Sequence, residues 1–158
     1  MSARSRAPRL GVSVSLDGVR MRVNRPALVR LAQHVLRAEK VRDALVSVTF
    51  VSRAAIARLN RTHLGHRGAT DVISFGHVSP GGRGKLVVGD IYICPDVAAA
   101  NARRFGVTSA DELRRLIVHG TLHVLGWDHP AGASREQSPM WVRQEKLLRA
   151  WSRAERAA

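Results

Sequence analysis

The chain has 158 residues, 45% of them hydrophobic, and carries 26 Lys and Arg against 12 Asp and Glu, a formal charge of +14. That length and apolar content exclude a disordered chain and suit a single domain over 1–158 with disordered tails at 1–8 and 155–158, and no 18-residue apolar run offers a membrane span. So positive a field draws polyanions to the surface, nucleic acid first among them, although an arginine-rich composition alone would give the same excess.

The opening MSARSRAP holds Arg4 and Arg6 but not the apolar stretch of about 7–15 residues that marks a signal peptide, so the expected compartment is the cytoplasm. LGVSVSL (10–16) alternates apolar and polar residues as a half-buried strand does, and Asp17 with Gly18 marks its end. Leu28, Leu31, Val35 and Leu36 then recur at helical spacing behind Pro26, which suits a first turn. ALVSVTFV (44–51) reads as a second strand and Ser52 as the cap of a short helix, RAAIARLN. NRTHLGHRGA (60–69) has no periodicity and reads as a loop. DVISFGHV (71–78) and KLVVGDIYIC (85–94) are two further strands, able to pair as a hairpin across the turn SPGGRG. The one cysteine, Cys94, rules out an internal disulfide and reads as a small buried residue at a strand end. Pro95 opens an alanine-rich helix that Gly106 can stop, and Ser109 with Glu112 has capping-box spacing for the next. From Leu113 to Leu125 that next helix is apolar on nearly every side, as a buried central helix is, with Gly120 serving close packing or leaving room beside His119. A last helix, over about 135–154, carries Met140, Leu147, Leu148 and Trp151.

The central helix runs into HGTLHVLGWDH (119–129), which holds three of the seven histidines. On an α-helix His119 and His123 project about 40° apart, so both can reach one ion. His129 would lie about 15 Å up the axis if the helix continued, whereas ligands of one Zn²⁺ sit about 2.0–2.1 Å from it. The helix must therefore stop, and Gly126 can take the left-handed conformation that ends it and turns the chain back. Three neutral imidazoles leave a tetrahedral Zn²⁺ one open position, as in catalytic sites; a fourth ligand, Cys94 or Asp128, would close the site into a structural one. Nickel or copper would also suit three histidines, and histidines buried and hydrogen-bonded without a metal are the structural alternative. The spacing H-x3-H-x2-G-x2-H is also that of the metzincin proteases, but their general-base glutamate is replaced here by Gly120, so peptide hydrolysis lacks its proton acceptor. A metal that neutralises a phosphoryl oxygen and activates water suits phosphodiester cleavage instead, in agreement with the basic surface.

HGTLHVLGWDH, together with LN at 59–60, TDVISF at 70–75 and GDIYICPD at 89–96, resembles the motif set of the YbeY endoribonucleases, bacterial rRNA maturation factors. The likeness runs on to PMWVRQEKLL near the C-terminus. It implies an α+β, zincin-like domain, a small mixed β-sheet packed with helices around a central metal-bearing helix, with one Zn²⁺ held by His119, His123 and His129. It also implies single-strand-specific endoribonuclease activity on the 16S rRNA precursor and a part in quality control of the small ribosomal subunit. The rival is a non-catalytic ribosome-assembly factor that binds RNA and uses zinc for structure alone.

One departure concerns the loop. The family reads LNxxYR, and alignment places His63 at the tyrosine and Leu64 at the arginine expected to contact substrate phosphate. Leucine has neither charge nor donor, which leaves Arg61 and Arg67 as candidate RNA contacts, Arg67 also as a candidate catalytic group. Beyond metal-bound water, Asp128 is the candidate to orient a histidine or act as a base. His63, His66 and His77 are further groove candidates, and Trp127, where the family has tyrosine, is expected to pack under the site. With so few aromatic residues, phosphate contacts are expected to outweigh base stacking, and sequence selectivity is expected to be low.

Overall fold

The alternation in LGVSVSL is realised as β1 (Arg9–Asp17), with Leu10 and Val14 buried and Gly11, Ser13 and Ser15 exposed. This comes from a computed structural model that describes residues 6–78 and 85–158; the expected SPGGRG turn and the first five residues of the expected N-terminal tail lie outside them. β1 pairs in parallel with β2 (Asp43–Val51), and β2 in parallel with β4 (Leu86–Ile93). β3 (Val72–Val78) is antiparallel to β4, as a hairpin requires, giving a mixed sheet of order β1-β2-β4-β3.

Every α-helix described but the one that opens at Pro95 starts where a side chain accepts a free N–H. Asn24 accepts from the Ala27 amide at 3.1 Å before α1 (Arg25–Ala38), and Ser52 from Ala55 at 3.2 Å before α2 (Arg53–Leu59). α3 (Pro95–Phe105) ends at Gly106, at φ 68°. The cap of α4 (Ser109–Val124) is Thr108, not Ser109: Thr108 is extended and its hydroxyl accepts from the Asp111 amide at 3.0 Å. Ser109 is already helical, and Glu112, instead of closing a capping box, is buried with 5% exposure.

The last helix also starts later than its periodicity suggested. Residues 133–137 form a 3₁₀ turn, Ser138 accepts from the Trp141 amide at 3.2 Å, and α5 (Pro139–Ala157) begins at a proline, which is tolerated in a first turn but not inside a helix. α5 continues through Ala157, so the expected tail at 155–158 is helical up to its last residue, and Arg6 from the expected N-terminal tail pairs with Asp43 at 2.7 Å. The loop after α2 opens with a π-helical turn, Asn60–Leu64.

α4 is the element the others surround, touching α1, α3, α5, β3 and β4. Its closeness to the sheet is set by glycines on both sides. A Cβ at Gly120 would stand 2.8 Å from Ile91 Cγ2, and one at Gly89 would stand 2.3 Å from Val124 Cγ1. Close packing, one of the two readings of Gly120, is thus its role. The main core joins Leu31, Leu36, Phe50, Ile91, Ile117 and Leu122, each fully buried and each stabilising the fold by about 1.5–3 kcal/mol. A smaller cluster of Val51, Ile56, Ile73 and Cys94 lies under α2, which makes Cys94 the buried strand-end residue that was expected. Among the described residues no helix is long and apolar enough to cross a membrane.

Candidate metal centre and the adjoining cleft

α4 carries His119 and His123 one turn apart, with ring centroids at 4.6 Å. The helix then stops as the geometry demanded. Gly126, at φ 96°, donates its N–H to His123 O at 2.9 Å, and Trp127 donates back to Leu122 O at 3.0 Å. These are the two bonds of a Schellman motif. The turn brings the His129 ring to 5.0 Å from both others, and one ring nitrogen from each of the three lies within 4.8 Å of the rest.

Hydrogen bonds decide which nitrogen each ring offers. Nδ1 of His119 faces Gln144 Oε1 at 2.7 Å, Nδ1 of His123 faces the Trp127 carbonyl at 2.8 Å, and Nδ1 of His129 faces the Pro130 carbonyl at 3.0 Å. All three partners accept, so each Nδ1 donates and each Nε2 is left with its lone pair. The Nε2 atoms of His119 and His129 are 3.3 Å apart. With both lone pairs free they share no proton, and ligands on one tetrahedral Zn²⁺ stand about 3.3–3.4 Å apart, so the spacing fits a shared cation. Burial holds the His119 pKa down at about 4 and lowers that of His123 too, keeping both in the neutral form that binds metal.

Among the described residues the group able to share one ion contains these three histidines and neither Cys94 nor Asp128. Cys94 is buried in the smaller cluster, and Asp128 is exposed and accepts from the His129 amide at 2.8 Å. Asp128 thus shapes the turn through backbone, and its charge only partly opposes the lowering of the His123 pKa by burial. Trp127 packs against the main core as expected, its indole N–H donating to Glu39 at 3.2 Å.

The loop candidates are anchored by the LN motif. Asn60 is buried, its side chain donates to Gly68 O at 3.0 Å, and its carbonyl accepts from His66 N. Arg61, Arg67 and His66 are exposed on that loop, and Leu64 is 49% exposed. His63 lies edge-on against Phe75 at 5.2 Å, and exposed His77 stands opposite Val88 on the sheet.

A cleft of about 230 Å³ opens against His119, lined by residues that the sequence did not single out as functional. Arg115, Arg135, Asn101, Phe105, Trp141 and Gln144 all face it, together with Asp71 and buried Glu112. Arg115 and Arg135 are the arginines that line this cleft beside α4. The TDV motif explains the floor: Asp71 accepts from its own neighbour Val72 N at 2.8 Å and from Asn101 Nδ2 of α3 at 3.2 Å. Burial raises the Glu112 pKa, with Arg115 opposing and Asp71 adding to it.

Comparison with known proteins gives a match to the family model of Endoribonuclease YbeY over residues 17–152. A Frankia alni protein named Endoribonuclease YbeY is 38% identical over 146 residues, 86% of this chain and 80% of its own length. One of the same name from Thermobifida fusca is 38% identical over 134 residues, 80% of this chain and 85% of its own. The solution structure of a Thermotoga maritima protein superposes with a TM-score of 0.59 at 27% identity, covering 92% of both chains.

Proposed function

The chain belongs to the YbeY endoribonuclease family, and from that premise we propose that it is a zinc-dependent endoribonuclease that cuts single-stranded RNA in maturing the 16S rRNA precursor and in quality control of the small ribosomal subunit. The observation that carries the metal dependence is the convergence of three Nε2 lone pairs with no fourth protein ligand among the described residues. A closed, structural zinc would need that fourth ligand, which counts against the assembly-factor alternative.

Bound there, the ion supplies Lewis-acid polarisation and activation of water. The chain's own residues orient and attract. Gln144 and the Trp127 and Pro130 carbonyls fix the three rings, while Arg135 places positive charge beside His119 and Arg115 is held by Glu145 and Glu112. Arg61 and Arg67, on the loop held by Asn60, add attraction for the phosphate chain. Asp128, exposed beside His123, is the carboxylate available as proton acceptor.

The test compares wild type with His123→Ala, both checked for folding by circular dichroism, on single-stranded rRNA with zinc and with a chelator. Cleavage by wild type with zinc alone is expected. Equal cleavage by the folded variant refutes a metallonuclease, cleavage by neither supports the assembly role, and elemental analysis of the purified protein identifies the metal.

A further inference from the structure

We propose that the cleft beside His119 is a nucleobase subsite, taking guanine from the nucleotide next to the scissile phosphate, with Glu112 reading its N–H edge and Phe105 stacking on its face. The proposal rests on the endoribonuclease reading above and gives that site a specificity that the scarcity of aromatic residues argued against. Four observations converge on it.

The first is size. At about 230 Å³ the cleft is smaller than the roughly 300–1,000 Å³ of drug-sized ligand sites, which leaves room for one ring system. The second is position, since His119 forms part of the wall and whatever fills the cleft adjoins the metal centre. The third is flat surface. Phe105 is 60% exposed at the end of α3, and the Arg115 and Arg135 guanidinium carbons stand 6.0 and 5.8 Å from the centre of the Trp141 ring. Aromatic rings and guanidinium planes are the surfaces on which unstacked bases lie, and Arg135 also suits the attached phosphate, Arg115 being paired with Glu145.

The fourth is a carboxylate whose acceptors are open to a ligand. The Glu112 side chain is 7% exposed, its nearest cation is Arg115 Nη1 at 3.8 Å, and it accepts no side-chain hydrogen bond from the described residues. Asp71, by contrast, is satisfied by Thr70, Val72 and Asn101. Its oxygens are not among the fully buried, unpartnered atoms of the described residues, so they face the cleft, and a ligand that brings its own donors can take the place of water at Glu112. Guanine presents N1–H and the N2 amino group side by side, matching the two oxygens of one carboxylate. Adenine and cytosine set a ring acceptor beside their amino group, and uracil flanks its single N–H with two carbonyls, arrangements that a carboxylate repels.

The experiment titrates guanosine and uridine 5′-monophosphates into the purified protein by calorimetry, with and without its metal, and maps cuts in an unstructured RNA of mixed sequence. Guanosine monophosphate is expected to bind about tenfold tighter in both metal states, and cuts to fall beside guanines. Glu112→Gln is expected to remove most of that preference, and Phe105→Ala to weaken both nucleotides about tenfold. Circular dichroism checks Glu112→Gln; if that variant does not fold, the wild-type comparison still decides. Equal affinity for the two nucleotides, or cuts without regard to guanine, overturns the subsite. A guanosine preference in a protein that cuts no RNA supports the subsite and overturns the endoribonuclease reading instead.

Discussion

Each of the three imidazoles of the candidate metal centre is oriented by an acceptor, but only Gln144 supplies a side chain for the purpose. It is fully buried, so Gln144→Leu would leave the His119 Nδ1–H without a partner in apolar surroundings. Metal affinity is expected to fall about 10–100-fold, read by competition with a chelator, with little change in the folded spectrum. Protons compete for the same ring. His119 is held at about 4 by burial against an ordinary 6.5, so between those values the unfolded chain binds more protons than the folded one. Stability of the metal-free protein is therefore full above about pH 6.5 and lost as pH falls toward 4; urea denaturation across that window checks this, and His119→Gln is expected to flatten the slope. Glu112 acts with the opposite sign, its raised pKa favouring the fold below 4.5 and costing stability as pH rises through the raised value. The histidines were legible because their spacing lies within one short segment. Gln144 is distant in sequence, and its only signal is a polar residue on the stripe formed by Met140, Gln144 and Leu147, the buried face of α5.

At the level of elements, glycines set where α4 ends and how near it lies to the sheet. Gly126→Ala puts a Cβ at φ 96°, and a loss of about 1 kcal/mol or more is expected, with weaker metal binding because His129 depends on that turn. Gly89→Ala meets Val124 at 2.3 Å, and overpacking of this kind is expected to cost about 1–3 kcal/mol in urea denaturation. Both positions were partly readable: a helix that must end announces its glycine, whereas a glycine in a strand does not name the side chain above it. The misplaced cap of α4 has a similar origin. Thr108 and Ser109 are equally able to cap, and the sequence offers Asp111 to one and Glu112 to the other. With Thr108 as the cap, Glu112 turns inward to the cleft, a consequence that local spacing cannot reveal.

For the molecule as a whole, the order β1-β2-β4-β3 is the part of the fold least visible in sequence. The hairpin of β3 and β4 follows from proximity, but that β4 and not β3 abuts β2 depends on contacts between distant segments, such as Val46 with Gly89. The charge of +14 was legible from composition and predicts behaviour better than architecture. RNA affinity is expected to fall steeply with salt, and Arg67→Ala to slow cleavage more than Arg153→Ala, which removes an exposed charge on α5; equal rates would refute a role for Arg67. The chain from His129 to Gln144 carries, in order, the third histidine of the candidate metal centre, Arg135 of the cleft wall and the partner of His119. Metal and base thus lean on one stretch of backbone, and two ligands that order the same segment are thermodynamically linked. Whatever factor the ion adds to the affinity for guanine, guanine must return to the affinity for the ion.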